Sequence, residues 1–166
     1  MSALRRPVFS KSGIYVASRT HHAPRWRQLR AQNYPVMSSW IDLAAEGVDA
    51  PAAETWPQSI AEVATSSALL VYIEKGDSPL RGALVEVGAA LACGVPVHVC
   101  CHEELDSATR RPLGSWIKHP LVREHASVEL ALRAATRDWL QKACPISDHP
   151  MWRLFHGEEN LDPNLL

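Results

Sequence analysis

The apolar positions of the chain fall into short blocks separated by stretches of helical spacing. Gly13-Ile14-Tyr15-Val16-Ala17 is a β-branched and aromatic run and predicts a first buried strand. Ser18 to Ala23 is polar and predicts the loop behind it. Pro24 suits the first turn of a helix, where its missing N–H costs nothing, and Trp26, Leu29 and Arg30 carry that helix to about Gln32. Pro35-Val36-Met37-Ser38 predicts a second short strand leading into Trp40-Ile41-Asp42. Leu43 to Glu54 is Ala-rich, with Gly47 and Pro51, and reads as an irregular loop or a short helical excursion. Ile60, Val63 and Ala64 predict a helix over 57–65. Ala68 to Ile73 is continuously apolar, as a central parallel strand covered on both faces must be. A charged loop, Glu74 to Pro79, precedes a predicted helix from Leu80 to Cys93 that is rich in small residues. Gly94 stands where a helix needs a residue in the left-handed region. Val95 to Cys100 predicts a further strand, and Ser127 caps a last helix from Val128 to about Gln141.

Strand and helix alternate, which predicts an α/β fold: a mostly parallel sheet, right-handed crossovers and helices on both faces. Ligands of such sheets bind at the carboxyl ends of the strands. The loop Ser18 to Ala23, the stretch after Trp40 and the loop Glu74 to Pro79 therefore matter most.

With 166 residues, 46% of them hydrophobic, the chain supports one domain, expected over 13–143. Residues 1–12 read as a flexible lead-in, and the Pro-rich stretch 144–166 as a tail packed on the domain or on a neighbouring subunit. Lys and Arg number 17 against 18 Asp and Glu, a balance that gives no electrostatic argument for binding a nucleic acid polymer. No apolar run approaches the ~20 residues of a membrane span, and the start lacks the apolar stretch of a secretory signal. A cytoplasmic protein with reduced thiols at Cys93, Cys100, Cys101 and Cys144 is expected.

Glu86 is the first candidate for chemistry. It lies mid-helix among apolar and small residues in Leu84-Val85-Glu86-Val87-Gly88-Ala89-Ala90-Leu91. Burial there would raise its pKa and sharpen it as nucleophile or base, whereas the plain alternative is an exposed helix position. Tyr15 is either a core residue or a hydroxyl aimed from the sheet at a carboxylate. Ser18, Arg19 and His21, ahead of a helix N-terminus, suit an anion or a solvated loop. Glu74 and Asp77 flank Gly76 and suit hydroxyl recognition, and Asp42 follows the predicted second strand. The adjacent His21 and His22 could suggest a metal, but sequence neighbours seldom ligate together, which favours a solvated polar loop. Cys100-Cys101-His102 lacks a second pair at zinc spacing and reads as plain thiols.

Three pieces of this pattern, Gly13-Ile14-Tyr15-Val16-Ala17-Ser18-Arg19, the strand ending in Val71-Tyr72, and Gly82-Ala83-Leu84-Val85-Glu86-Val87-Gly88-Ala89-Ala90-Leu91-Ala92 with Gly94, resemble the nucleoside 2-deoxyribosyltransferase family. That family includes N-glycosidases that hydrolyse nucleoside monophosphates. The resemblance spans roughly Gly13 to Cys100 and is most specific around Glu86. It implies a flavodoxin-like sheet and a covalent glycosyl-enzyme on Glu86, with Tyr15 positioning that carboxylate. The base leaves, and water or a second base takes the sugar. It also implies a homo-oligomer whose sites are completed across subunits, and no cofactor or metal. Gly82 belongs to the motif, and Ser18-Arg19 resembles the 5′-phosphate loop of the monophosphate hydrolases. The match departs at Leu80, where the transferases carry an aspartate, and at Ser67, where an acid often precedes the central strand. Two other classes stay open: an NAD-cleaving or nucleotide-signal-processing domain, and a non-catalytic nucleotide-binding module.

Overall fold

The structure, a computed structural model, describes residues 12–44, 52–103 and 113–143. Its centre is strand β2 (Ala68–Ile73), in which all six residues are buried. A strand covered on both faces cannot alternate apolar and polar residues, which is why Ala-Leu-Leu-Val-Tyr-Ile works only here. β1 (Ile14–Ala17) pairs with β2 in parallel, Tyr15 opposite Leu69. On the other side β2 pairs in parallel with β3 (Val97–Cys101), and β3 with β4 (Val122–His125).

The expected second strand is reduced to one parallel bridge, Ile14 to Val36, outside β1. Side chains supply the rest of that edge. Val16 N–H donates to Ser38 Oγ (2.6 Å), and Trp40 Nε1 donates to Val16 O (2.8 Å). Arg30 takes up the carbonyls of Val36 and Ser38, so this segment has no need of a ladder. Counting the bridge, the spatial order is that of a flavodoxin-like sheet. β4 escapes the periodicity because its sequence, Val-Arg-Glu-His, is short, charged and only half-buried, as suits an edge strand.

Helices α1 (Ala23–Ala31) and α5 (Val128–Ala143) cover one face of the sheet. Helices α3 (Ala52–Thr65) and α4 (Arg81–Ala92) cover the other, and α2 (Trp40–Leu43) is a single turn behind the edge bridge. Pro24 occupies the first turn of α1 as expected. α3 begins before the expected 57 and carries Pro57 in its second turn, where the ring removes one backbone hydrogen bond. α4 ends in a Schellman motif: Gly94 has φ +70°, its N–H bonds Leu91 O, and Val95 N–H bonds Ala90 O. One hydrophobic cluster runs through both layers, from Trp26 and Leu70 on the α1/α5 face to Val71 and Val87 on the other.

No helix among the described residues is long and apolar enough to cross a membrane. Cys93, Cys100 and Cys101 are free thiols. The expected lead-in through residue 11, the loop 45–51 and the tail from Cys144 lie outside the described residues.

Candidate active site

The parallel order puts the carboxyl ends of β1 and β2 side by side, and the chain leaves them in opposite directions, which opens a crevice between the two loops that follow. A cavity of about 480 Å³ occupies this crevice. The β1 loop gives it Ser18, Arg19 and Thr20, α3 gives Trp56 and Ser59, and the start of α4 gives Leu80 to Ala83 and Glu86.

Glu86 is buried on the inward face of α4, one turn behind the helix start. Tyr15, fully buried on β1, points to the same face and donates its hydroxyl to Glu86 Oε1 at 2.6 Å. The pair is set by register: α4 packs across β1 and β2, and Tyr15 faces it because side chains alternate along a strand. Desolvation drives the Glu86 carboxyl up from 4.5 to about 7, the Tyr15 hydrogen bond pulls it back, and nearby Glu62 pushes it further. Burial and the adjoining carboxylate raise the Tyr15 phenol far above its ordinary value, so it remains a donor.

The walls carry both cations and aromatic surface. Arg19 lines the cavity while its Nε donates to Asp77 O (2.7 Å). Arg81 is exposed at the mouth and has no ion-pair partner among the described residues. Leu80 caps α4 without a side-chain hydrogen bond and the first turn holds no acid, so the positive end of the α4 dipole lies uncompensated beside the cavity that Leu80 to Ala83 line. Trp40 and Trp56 form apolar walls. Gly82 leaves little room beside Trp56: a Cβ there would lie 3.2 Å from Trp56 Cη2, so the ring would have to give by a few tenths of an ångström.

The geometry gathers Tyr15, Ser18, Arg19, Gly82 and Glu86 and leaves the other candidates outside the cavity lining. Asp42 is exposed and held by both its oxygens on Arg30 Nη1 (2.8 and 2.7 Å). Glu74 accepts from the Tyr72 hydroxyl and pairs with Arg25 (3.3 Å), and the Tyr72 bond holds its carboxyl below the ordinary value. Asp77 is buried, and its Oδ2 accepts Glu74 N–H (2.8 Å) and His22 Nε2 (2.8 Å). His21 joins the same carboxylate at 3.4 Å. Glu74 and Asp77 are thus occupied with protein partners rather than open for a ligand's hydroxyls. Leu80 lines the cavity where an acid was the alternative, while Ser67 is buried at the opposite end of β2. Cys100 is buried, lies 3.4 Å from His102 Nε2, and burial pushes its thiol up to about 11, the condition of an inert cysteine.

Sequence reasoning passed over Trp56, Ser59 and Glu62. Their spacing of three along α3 is a legible signal: it puts one aromatic, one hydroxyl and one acid on a single inward helix face. Glu62 is held by Ser39 N–H (3.0 Å) and Gln58 (3.1 Å). Scans against protein-family models and searches of curated proteins and of solved structures found no match for the chain.

Proposed function

We propose that this chain cleaves or exchanges the N-glycosidic bond of a nucleoside or nucleoside 5′-monophosphate through a glycosyl-Glu86 intermediate. One observation carries the reading: a desolvated carboxylate with its hydroxyl partner, Glu86 with Tyr15, beside a cavity of nucleoside size. In this mechanism Tyr15 holds Oε1 and leaves Oε2 directed to the anomeric carbon. The carboxylate attacks as the bond to the base breaks, the bonding electrons leave with the base, and water or a second base then takes the sugar. A carboxylate with raised proton affinity is the stronger nucleophile once ionised.

The two arginines, Arg19 and Arg81, with the open start of α4, favour a phosphorylated substrate over a neutral one. The aromatic walls of Trp40 and Trp56 suit a base. Leu80 at the rim supports a substrate set different from that of the transferases, which place an acid there. Leu84 and Val85, exposed on the outer face of α4, favour the homo-oligomer that belongs to this reading.

The test is base release from a panel of nucleosides, their monophosphates and NAD, with and without a second free base. Wild type releases base and Glu86→Ala, folded by circular dichroism, does not. Equal release by both proteins, or none from any substrate, overturns the proposal.

A further inference from the structure

We propose that His21, His22 and Asp77 form a binding site for one divalent transition-metal ion of the zinc class. The three side chains offer ligand atoms that all lie within 4.8 Å of one another. His21 Nε2 is 3.4 Å from Asp77 Oδ1, and His22 Nε2 is 2.8 Å from Asp77 Oδ2. A tetrahedral ion with bonds of ~2.0–2.1 Å separates neighbouring ligand atoms by roughly 3.3 Å. The two separations, which run to different oxygens of Asp77, stand on either side of that value, and an ion requires the His22 contact to open.

Adjacent histidines are poor ligands on extended backbone, where they face opposite ways. Here they occupy a 3₁₀ turn, Thr20–His22, that runs directly into α1. The turn brings their rings to 4.0 Å between centroids and aims both Nε2 atoms at one carboxylate. That carboxylate is already oriented. Asp77 is buried, and Glu74 N–H fixes its Oδ2. His22 is buried edge-on against Tyr72. Such supports are what a metal site uses to set its ligands. His21 is the open side: its side chain is 61% exposed, which gives an ion a route in and leaves coordination positions to solvent.

Two imidazoles and one carboxylate suit zinc, cobalt or nickel and leave an open site. Without an ion His22 Nε2 shares a hydrogen bond with Asp77 Oδ2; to bind an ion, Nε2 of each ring must present its lone pair, which places the ring proton on Nδ1. The three residues line none of the cavity, yet they join its two walls. His21 and His22 follow Arg19 and Thr20 of one wall, and Asp77 precedes Pro79 to Gly82 of the other. The ion's role is therefore to lock these loops together, with no part in bond cleavage.

The experiment uses the full chain, stripped with a chelator and titrated with Zn²⁺ by calorimetry and with Co²⁺ by visible absorption. The proposal expects one ion per chain, the d–d bands of cobalt bound by nitrogen and oxygen ligands, and a higher melting temperature with Zn²⁺. His21→Ala, at an exposed position that leaves the fold intact, weakens binding by about tenfold or more. Asp77→Asn provides a second reading of the same loss. Absence of saturable binding overturns the site. So does equal affinity in wild type and His21→Ala, which would assign the ion to other ligands and leave the trio a hydrogen-bonded clamp.

Discussion

Replacing Glu86 by glutamine is predicted to stabilise the fold above neutral pH while removing its chemistry. Burial raises this carboxyl from 4.5 to about 7, so the folded chain binds the proton more tightly than the unfolded one. Stability contributed by the protonated group is then fully present below about pH 4.5 and is lost as pH rises to about 7. At about 1.4 kcal/mol for each tenfold in proton affinity, the ionised carboxylate costs the fold about 3 kcal/mol. Glutamine is close in shape and never ionises. It still accepts the Tyr15 hydroxyl, although a bond to a neutral amide is weaker by about 1 kcal/mol than one to a carboxylate. The net expectation at about pH 8 is a variant more stable by about 2 kcal/mol, or roughly 4–8 °C in melting temperature for a chain of this size. At about pH 4.5 the advantage disappears, because Glu86 is then neutral in the native state as well. Urea and thermal denaturation of both proteins at the two pH values decide the matter. A difference in stability that does not change with pH would refute the reasoning, as would a variant less stable than wild type at pH 8. Either result would mean that the surroundings favour the charge, as they do for a structural carboxylate. A gain in stability with loss of turnover is the pattern of a site that sacrifices stability for function.

Other consequences of the site are equally direct. Wild-type kcat/KM should fall about tenfold per pH unit below about 7, as Glu86 takes up its proton. Tyr15→Phe should move that fall to higher pH, because the lost hydrogen bond was lowering the Glu86 value; an unmoved profile would detach Tyr15 from the carboxylate. Arg19→Ala should reduce kcat/KM for monophosphates by more than for free nucleosides, by about tenfold for a lost charged contact of ~1.5 kcal/mol. Equal losses on both substrate types would remove the phosphate role. Gly82→Val should raise KM while stability changes by less than about 1 kcal/mol, since the new side chain crowds the Trp56 ring that lines the cavity. Unchanged KM would show that the Trp56 wall does not meet substrate.

Much of the fold was legible because periodicity depends on burial, and burial here is simple. Ala68 to Ile73 could only be a strand covered on both faces, and the small residues with Gly94 placed α4 nearly to the residue. The strand at Pro35 to Ser38 was over-read: its apolar residues are real, but Arg30, Ser38 and Trp40 satisfy the backbone that a ladder would have used. β4 went unseen because an edge strand buries too little to leave a pattern. The proximity of Glu86 and Tyr15 was expected from their residue types and the family resemblance.

By itself the sequence determined the parallel α/β architecture, the crevice at the carboxyl ends of β1 and β2, and the choice of Glu86 as the residue to watch. Tertiary structure decided which polar residues face that crevice. It set Arg19 and Arg81 along the cavity, tied Asp42 to Arg30, engaged Glu74 and Asp77 with protein partners, and brought two adjacent histidines onto one buried carboxylate. The physical reason is range. Periodicity follows from neighbours three or four positions apart along one helix or two apart along one strand, whereas the partner of a buried polar group lies tens of residues away, where only the packed fold specifies its distance and direction.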